Sequence, residues 1–138
     1  MHFGNAPEYP ERVRKWLEKY PNLYIDTAAR IPEIGRHPAA EMKKLFSDHA
    51  DRILFGTDLG VGTKPGALML GSTGEHPPTD EDTRHFFEST WRYFETDDKG
   101  FAHPTPIQGD WTIDGVGLDR STLEKVYAGN ARRLLGVP

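Results

Sequence analysis

Asp58 ends the segment 52–58, read RILFGTD, in which Ile53, Leu54 and Phe55 run apolar without a break. An unbroken apolar run predicts a strand buried on both faces, as in a parallel sheet. In parallel α/β folds the C-terminal end of such a strand faces the active site. A carboxylate there can ligate a metal or take a proton from metal-bound water. The plainer role for Asp58 is to cap the turn through its own backbone. His2 and Asp26 share its spacing. From His2 to Asp26 is 24 residues and from Asp26 to Asp58 is 32, each about one βα unit. The three are therefore expected at the ends of three neighbouring strands, on one rim. Imidazole and carboxylate at that rim would make half of a metal site. The alternatives are plain: His2 as a disordered terminal residue, and Asp26 as a partner of Thr27 and nearby backbone. Asp26 alternates with Leu23 and Ile25, so it points away from them.

The elements that would position these residues follow from periodicity. Val13, Trp16, Leu17 and Tyr20 have helical spacing over residues 10–20, with Pro10 in the first turn and Pro21 as the stop. Residues 22–29, NLYIDTAA, read as a strand, and 30–37 as a loop. Residues 38–50 read as a helix with Met42, Leu45, Phe46 and His49 on one side. After the strand at 52–58 comes a loop, 59–78, with five glycines and three prolines. A loop that long is usually functional or mobile. Thr79 to Asp82 resembles a capping box opening a helix to Phe94, with Phe86, Phe87, Thr90, Trp91 and Phe94 inward. Residues 97–120 read as irregular. Ser121 to Glu124 resembles a second box, before a helix with Leu123, Val126, Tyr127, Asn130, Ala131 and Leu134 on one face. Gly136 suits its C-terminal cap. Strands alternating with helices predict a parallel sheet.

Other side chains carry less. Asn130, on an apolar helix face, reads as structural, tying the helix to a loop. His37, His49, His76, His85 and His103 lack ligand spacing and read as surface or loop histidines, with His76 favoured slightly by its place in the long loop. Neither H-x-H nor H-E-x-x-H occurs. No P-loop, G-x-G-x-x-G or G-x-S-x-G is present. Trp16 and the Trp91/Phe94 stripe read as core faces.

The chain has 138 residues, 36% apolar and 28% charged, which predicts one soluble globular domain, residues 1–138, rather than disorder. It has no cysteine, so disulfides and thiolate chemistry are excluded and any metal must sit on His and carboxylates. A net charge of −4 with mixed signs predicts no nucleic-acid partner. No apolar run is long enough for a membrane span, and no signal peptide is evident, so the cytoplasm is the default location. Two strands alone make a marginal sheet with open edges. A (β/α)8 barrel needs about 250 residues. The expectation is therefore an incomplete fold with sequence missing upstream; the alternative is a small intact α/β domain.

In order along the chain, five segments resemble the amidohydrolase-related family often called amidohydrolase 2, whose members include metal-dependent aromatic-acid decarboxylases. They are His2-Phe3-Gly4-Asn5, residues 21–26, residues 52–58, residues 91–96, and the C-terminal Leu123 to Tyr127 with Asn130 to Leu135. The resemblance implies an α/β fold that is the C-terminal part, about strands six to eight and their helices, of a (β/α)8 TIM barrel. It implies His2 after strand six and Asp58 after strand eight as catalytic and metal-ligating residues. The cofactor implied is a divalent metal, zinc first, and the partner a small-molecule substrate. The family's H-x-H after strand one and its histidine after strand five have no counterpart here, so the isolated chain is not expected to turn over. The implied activity is hydrolysis of a C–O or C–N bond by metal-activated water. The alternatives are decarboxylation at the same site, a non-catalytic homo-oligomerising remnant, and a metal-free small-molecule binding domain.

Overall fold

The computed structural model describes residues 2–62, 68–70, 78–105 and 109–137. His76 and the glycines at 66, 71 and 74 lie outside them.

The first 26 residues already place two of the three chain segments of the rim. A 3-10 turn, Phe3–Asn5, follows His2 and leads to helix α1, Pro10–Lys19. Pro10 costs nothing in the first turn, where its missing N–H would be unbonded anyway. Val13 and Leu17, four apart, are fully buried, and Trp16 packs at the edge of the core. Tyr20, expected on that face, caps the helix and is 49% exposed. Strand β1 is short, Ile25–Asp26.

The expected loop at 30–37 contains a helical turn, α2, Ile31–Ile34, all four residues of which are buried. Pro32 is tolerated because it lies in the first turn. Helix α3, Ala39–Asp48, buries Met42, Leu45 and Phe46 and packs on α1, where Arg14 pairs with Asp48 at 2.9 Å. A 3-10 turn, Ala50–Arg52, delivers the chain to strand β2, Ile53–Leu54. The Arg52 guanidinium donates to the carbonyls of Leu17 and Tyr20, satisfying acceptors that the end of α1 leaves open.

β1 and β2 pair in parallel, Ile25 with Ile53 and Asp26 with Leu54, and His2 forms a parallel bridge to Asp26. Three chain segments thus lie side by side in sequence order. Successive side chains of a strand face opposite ways. Ile25 and Ile53 enter the core, and Asp26 takes the other face.

The long segment after Asp58 is not all loop. β3, Leu59–Val61, and β4, Leu68–Leu70, pair antiparallel. Helix α4, Asp80–Glu95, opens on the expected box: Thr79 Oγ1 accepts from Asp82 N, and Asp82 Oδ2 from Thr79 N. Its buried aromatics are Phe86, Tyr93 and Phe94. Trp91, expected inward, is 47% exposed and leans on Phe87. Phe86, Thr90, Tyr93 and Phe94 keep three- or four-residue spacing; Phe87 and Trp91 are each one residue, about 100°, off that face. The irregular stretch that follows carries a small antiparallel pair, β5 (Phe101–Ala102) and β6 (Thr112–Ile113).

The C-terminal helix is capped two residues earlier than expected. Asp119, not Ser121, accepts the Thr122 amide, and hydrogen bonds from Ser121 and Thr122 hold the Asp119 carboxyl well below its ordinary range. A carboxylate is the stronger cap beside the positive helix end. The helix runs as α5 (Arg120–Glu124), a π-helical turn (Lys125–Gly129) and α6 (Asn130–Leu135), ending at Gly136 with φ +64°. Leu134, expected inward, is 44% exposed, because the last turn runs past the packed core. Asn130 is buried, and its amide donates to the carbonyls of Ala50 (2.6 Å) and Ile53 (2.8 Å). Among the described residues, no helix is long and apolar enough to cross a membrane.

Candidate functional site

The rim is built by three segments that turn sharply where they leave the sheet. Phe3 (φ +48°) and Asn5 (+57°) follow His2, Ala29 (+56°) follows β1, and Asp58 (+60°) follows β2. Left-handed backbone at residues other than glycine costs energy and persists only where its surroundings hold it. Here the surroundings are the two neighbouring loops. Thr27 N donates to Leu54 O at 3.1 Å. Thr27 Oγ1 both donates to Gly56 O and accepts from Gly56 N, each at 3.2 Å. A Cβ on Gly56 would stand 3.0 Å from that of Ala28, so a larger residue would force the loops apart. Thr27 is fully buried. Sequence reading gives neither residue a role at the site: both fall inside the predicted strands 22–29 and 52–58, whereas the structure puts them one and two residues beyond the ends of β1 and β2.

His2, Asp26 and Asp58 meet on this rim. His2 Nδ1 stands 3.4 Å from Asp26 Oδ1, and His2 Nε2 stands 3.8 Å from Asp58 Oδ1. The imidazole lies between two carboxylates. Its Nδ1 is buried and has no hydrogen-bond partner among the described residues, although the side chain as a whole is 42% exposed. Asp26 is the more enclosed carboxylate, at 23% against 43% for Asp58. Asp26 Oδ1 also accepts from Ala28 N at 3.1 Å, so it combines the backbone bond expected of a structural residue with a place beside His2. The turn at Asp58 is bonded through Thr57, whose Oγ1 accepts from Leu59 N at 3.2 Å.

The remaining histidines divide differently than expected. His85 is exposed and His37 half-buried, with Nε2 at 2.8 Å from Pro7 O. His49 and His103, read as surface or loop histidines, are both buried, His103 in the loop that follows β5. His49 continues the buried face of α3, four residues after Leu45 and three after Phe46, so the helical phase already carried it inward. Its Nδ1 stands 3.2 Å from Arg52 Nη2, and burial pushes its pKa down, with Arg52 and Arg14 adding to the shift. His103 bonds Gly109 O at 2.9 Å and stacks on Trp111. Neither approaches the rim triad in any described contact.

A metal would find two donors here. Zinc bonds to nitrogen or carboxylate oxygen are about 2.0–2.2 Å long. The 3.8 Å between His2 Nε2 and Asp58 Oδ1 is therefore short enough for one ion to touch both. Asp26 lies at the opposite ring nitrogen and cannot join them while Nε2 is the ligand. Among the described residues, no group of three or more His, Cys, Asp or Glu side chains is arranged to hold an ion. The pair fits part of a metal's shell, and further ligands would have to come from elsewhere.

Comparison with known proteins agrees with the motif reading. The family model described as amidohydrolase matches residues 1–137. No curated protein and no solved structure gives a significant match.

Proposed function

The chain belongs to the amidohydrolase family, and on that premise we propose that His2 and Asp58 form part of the active site of a metal-dependent hydrolase acting on a small molecule. The observation that carries this reading is the 3.8 Å approach of the His2 and Asp58 side chains on one rim of parallel strands. In this reading the three parallel segments are strands six to eight of a (β/α)8 barrel, and the other metal ligands come from outside the described residues. His2 Nε2 and Asp58 would hold a divalent ion, with zinc the natural match for imidazole and carboxylate donors. Such an ion lowers the pKa of its bound water toward neutrality.

The chain's own groups supply the rest. Asp58, partly exposed at the rim and 3.8 Å from His2 Nε2, is the proton acceptor in this reading. His2 offers Nε2 on the same side, for a ligand bond or a proton. The parallel bridge from His2 to Asp26 and the paired Thr27–Gly56 hydrogen bonds tie together the segments that carry both groups. Substrate choice falls to the loops beyond β1 and β2, including α2 and the β3–β4 hairpin.

The test is hydrolysis of a panel of esters, amides and lactones, with carbon dioxide release from aromatic acids run in parallel, in the enzyme as the cell makes it. Asp58→Asn should cut metal-dependent turnover by about 10²–10⁴-fold, the usual worth of a positioned acid–base group, with an unchanged fold. Full turnover in the variant would sink the assignment. Decarboxylation without hydrolysis would keep the site and change the reaction.

A further inference from the structure

We propose that Asp26 is a positioning residue that holds His2 as the Nδ1–H tautomer and so keeps the Nε2 lone pair turned toward Asp58. The inference rests on the reading of His2 and Asp58 as active-site groups, but its test does not depend on turnover.

Three observations and one general rule carry it. First, the two carboxylates meet different ring nitrogens, Asp26 at Nδ1 and Asp58 at Nε2. A neutral imidazole has one N–H donor and one acceptor, so the two carboxylates cannot both be served by N–H. One of them sets the tautomer. Second, Nδ1 is buried with no hydrogen-bond partner among the described residues, so the nearby Asp26 oxygen is the acceptor its proton would meet. Third, Asp26 is held in place: its strand bridges His2 directly, and its Oδ1 accepts from the Ala28 amide. Asp58 is nearly twice as exposed and sits on a left-handed turn bonded through Thr57. The general rule is that a carboxylate on the far nitrogen fixes the tautomer of a working histidine.

Asp26 also caps its own turn, so the variant must separate the two roles. Serine at this position can still accept the Ala28 amide but is too short to reach His2. Asparagine keeps an acceptor and loses the charge. The experiment is long-range proton–nitrogen NMR of the ¹⁵N-labelled, chelator-treated chain, read on the neutral ring, with His2 assigned by its loss in His2→Gln. In the wild type the Nδ1–H form should exceed the Nε2–H form by about tenfold, the worth of one hydrogen bond to a charged acceptor. Asp26→Ser should remove that preference while backbone shifts of Thr27 and Gly56 stay in place. Asp26→Asn should restore part of it, and Asp58→Asn should leave it intact. An unchanged tautomer in Asp26→Ser overturns the proposal, as does a wild-type ring already in the Nε2–H form. If Asp26→Ser loses the preference but Asp58→Asn keeps full turnover, the positioning stands and the hydrolase reading falls.

Discussion

The hydroxyl of Thr27 and the backbone of Gly56 bond each other in both directions at 3.2 Å, clasping the loops that follow β1 and β2. The clasp lies one residue from Asp26 and two from Asp58, so the two carboxylates of the rim are tied through it. Thr27→Val keeps the shape and removes the hydroxyl. The Gly56 amide and carbonyl lose their partner, at a cost of about 1–3 kcal/mol. Urea unfolding should show this as a lower midpoint with an unchanged slope. A midpoint indistinguishable from wild type would mean that water replaces the clasp at no cost.

Asn130 anchors the opposite end of β2. Asn130→Leu leaves the carbonyls of Ala50 and Ile53 without their donor in a buried setting. Each unsatisfied group costs about 1–3 kcal/mol, so thermal unfolding should begin well below that of wild type. An Asn130→Leu variant as stable as wild type would show that this amide is dispensable.

Stability should fall with acid through His49. Burial lowers its pKa from the ordinary 6.5, chiefly by disfavouring the charged ring, with Arg52 and Arg14 adding repulsion and Asp48 and Glu18 opposing it. Above 6.5 the ring is neutral in both folded and unfolded chains and contributes no slope. As pH drops below that value, the unfolded chain takes up a proton that the folded chain resists, so unfolding is favoured. The loss stops below the folded pKa. His49→Gln keeps an acceptor for Arg52 and should flatten the pH dependence that sets in as pH falls below 6.5. An identical slope in the variant would remove His49 from the acid response.

Zinc should bind at the rim and depend on both donors. Isothermal titration of the chain should detect only weak binding, since two ligands compete poorly with water. His2→Gln and Asp58→Asn should each abolish it, while His103→Gln should not. Equal binding in all three variants would place the metal elsewhere.

Much of this protein was legible in its sequence because local rules and spacing both pointed one way. The Thr79 and Asp82 box, the buried pair Val13 and Leu17, and the αL cap at Gly136 are set by groups within one helical turn of each other. The βα-length intervals between His2, Asp26 and Asp58 follow from how many residues a strand and its return helix need. The family resemblance in the motifs agrees with the amidohydrolase match over residues 1–137. What periodicity could not see were short or off-phase elements. α2 is four residues long, β3 and β4 are three each, and the last helix changes to a π-helical turn at Lys125.

Only the tertiary structure decided which nitrogen of His2 meets which carboxylate. Spacing can bring three residues to one rim, but it does not fix ring orientation. That depends on the parallel bridge from His2 to Asp26, on the Ala28 amide bonded to Asp26, and on the left-handed turn that aims Asp58 back across the sheet. Each of these is a contact or backbone angle set by packing between segments far apart in the chain. The same holds for Thr27 and Gly56, whose side chain and missing side chain matter only because two loops approach closely.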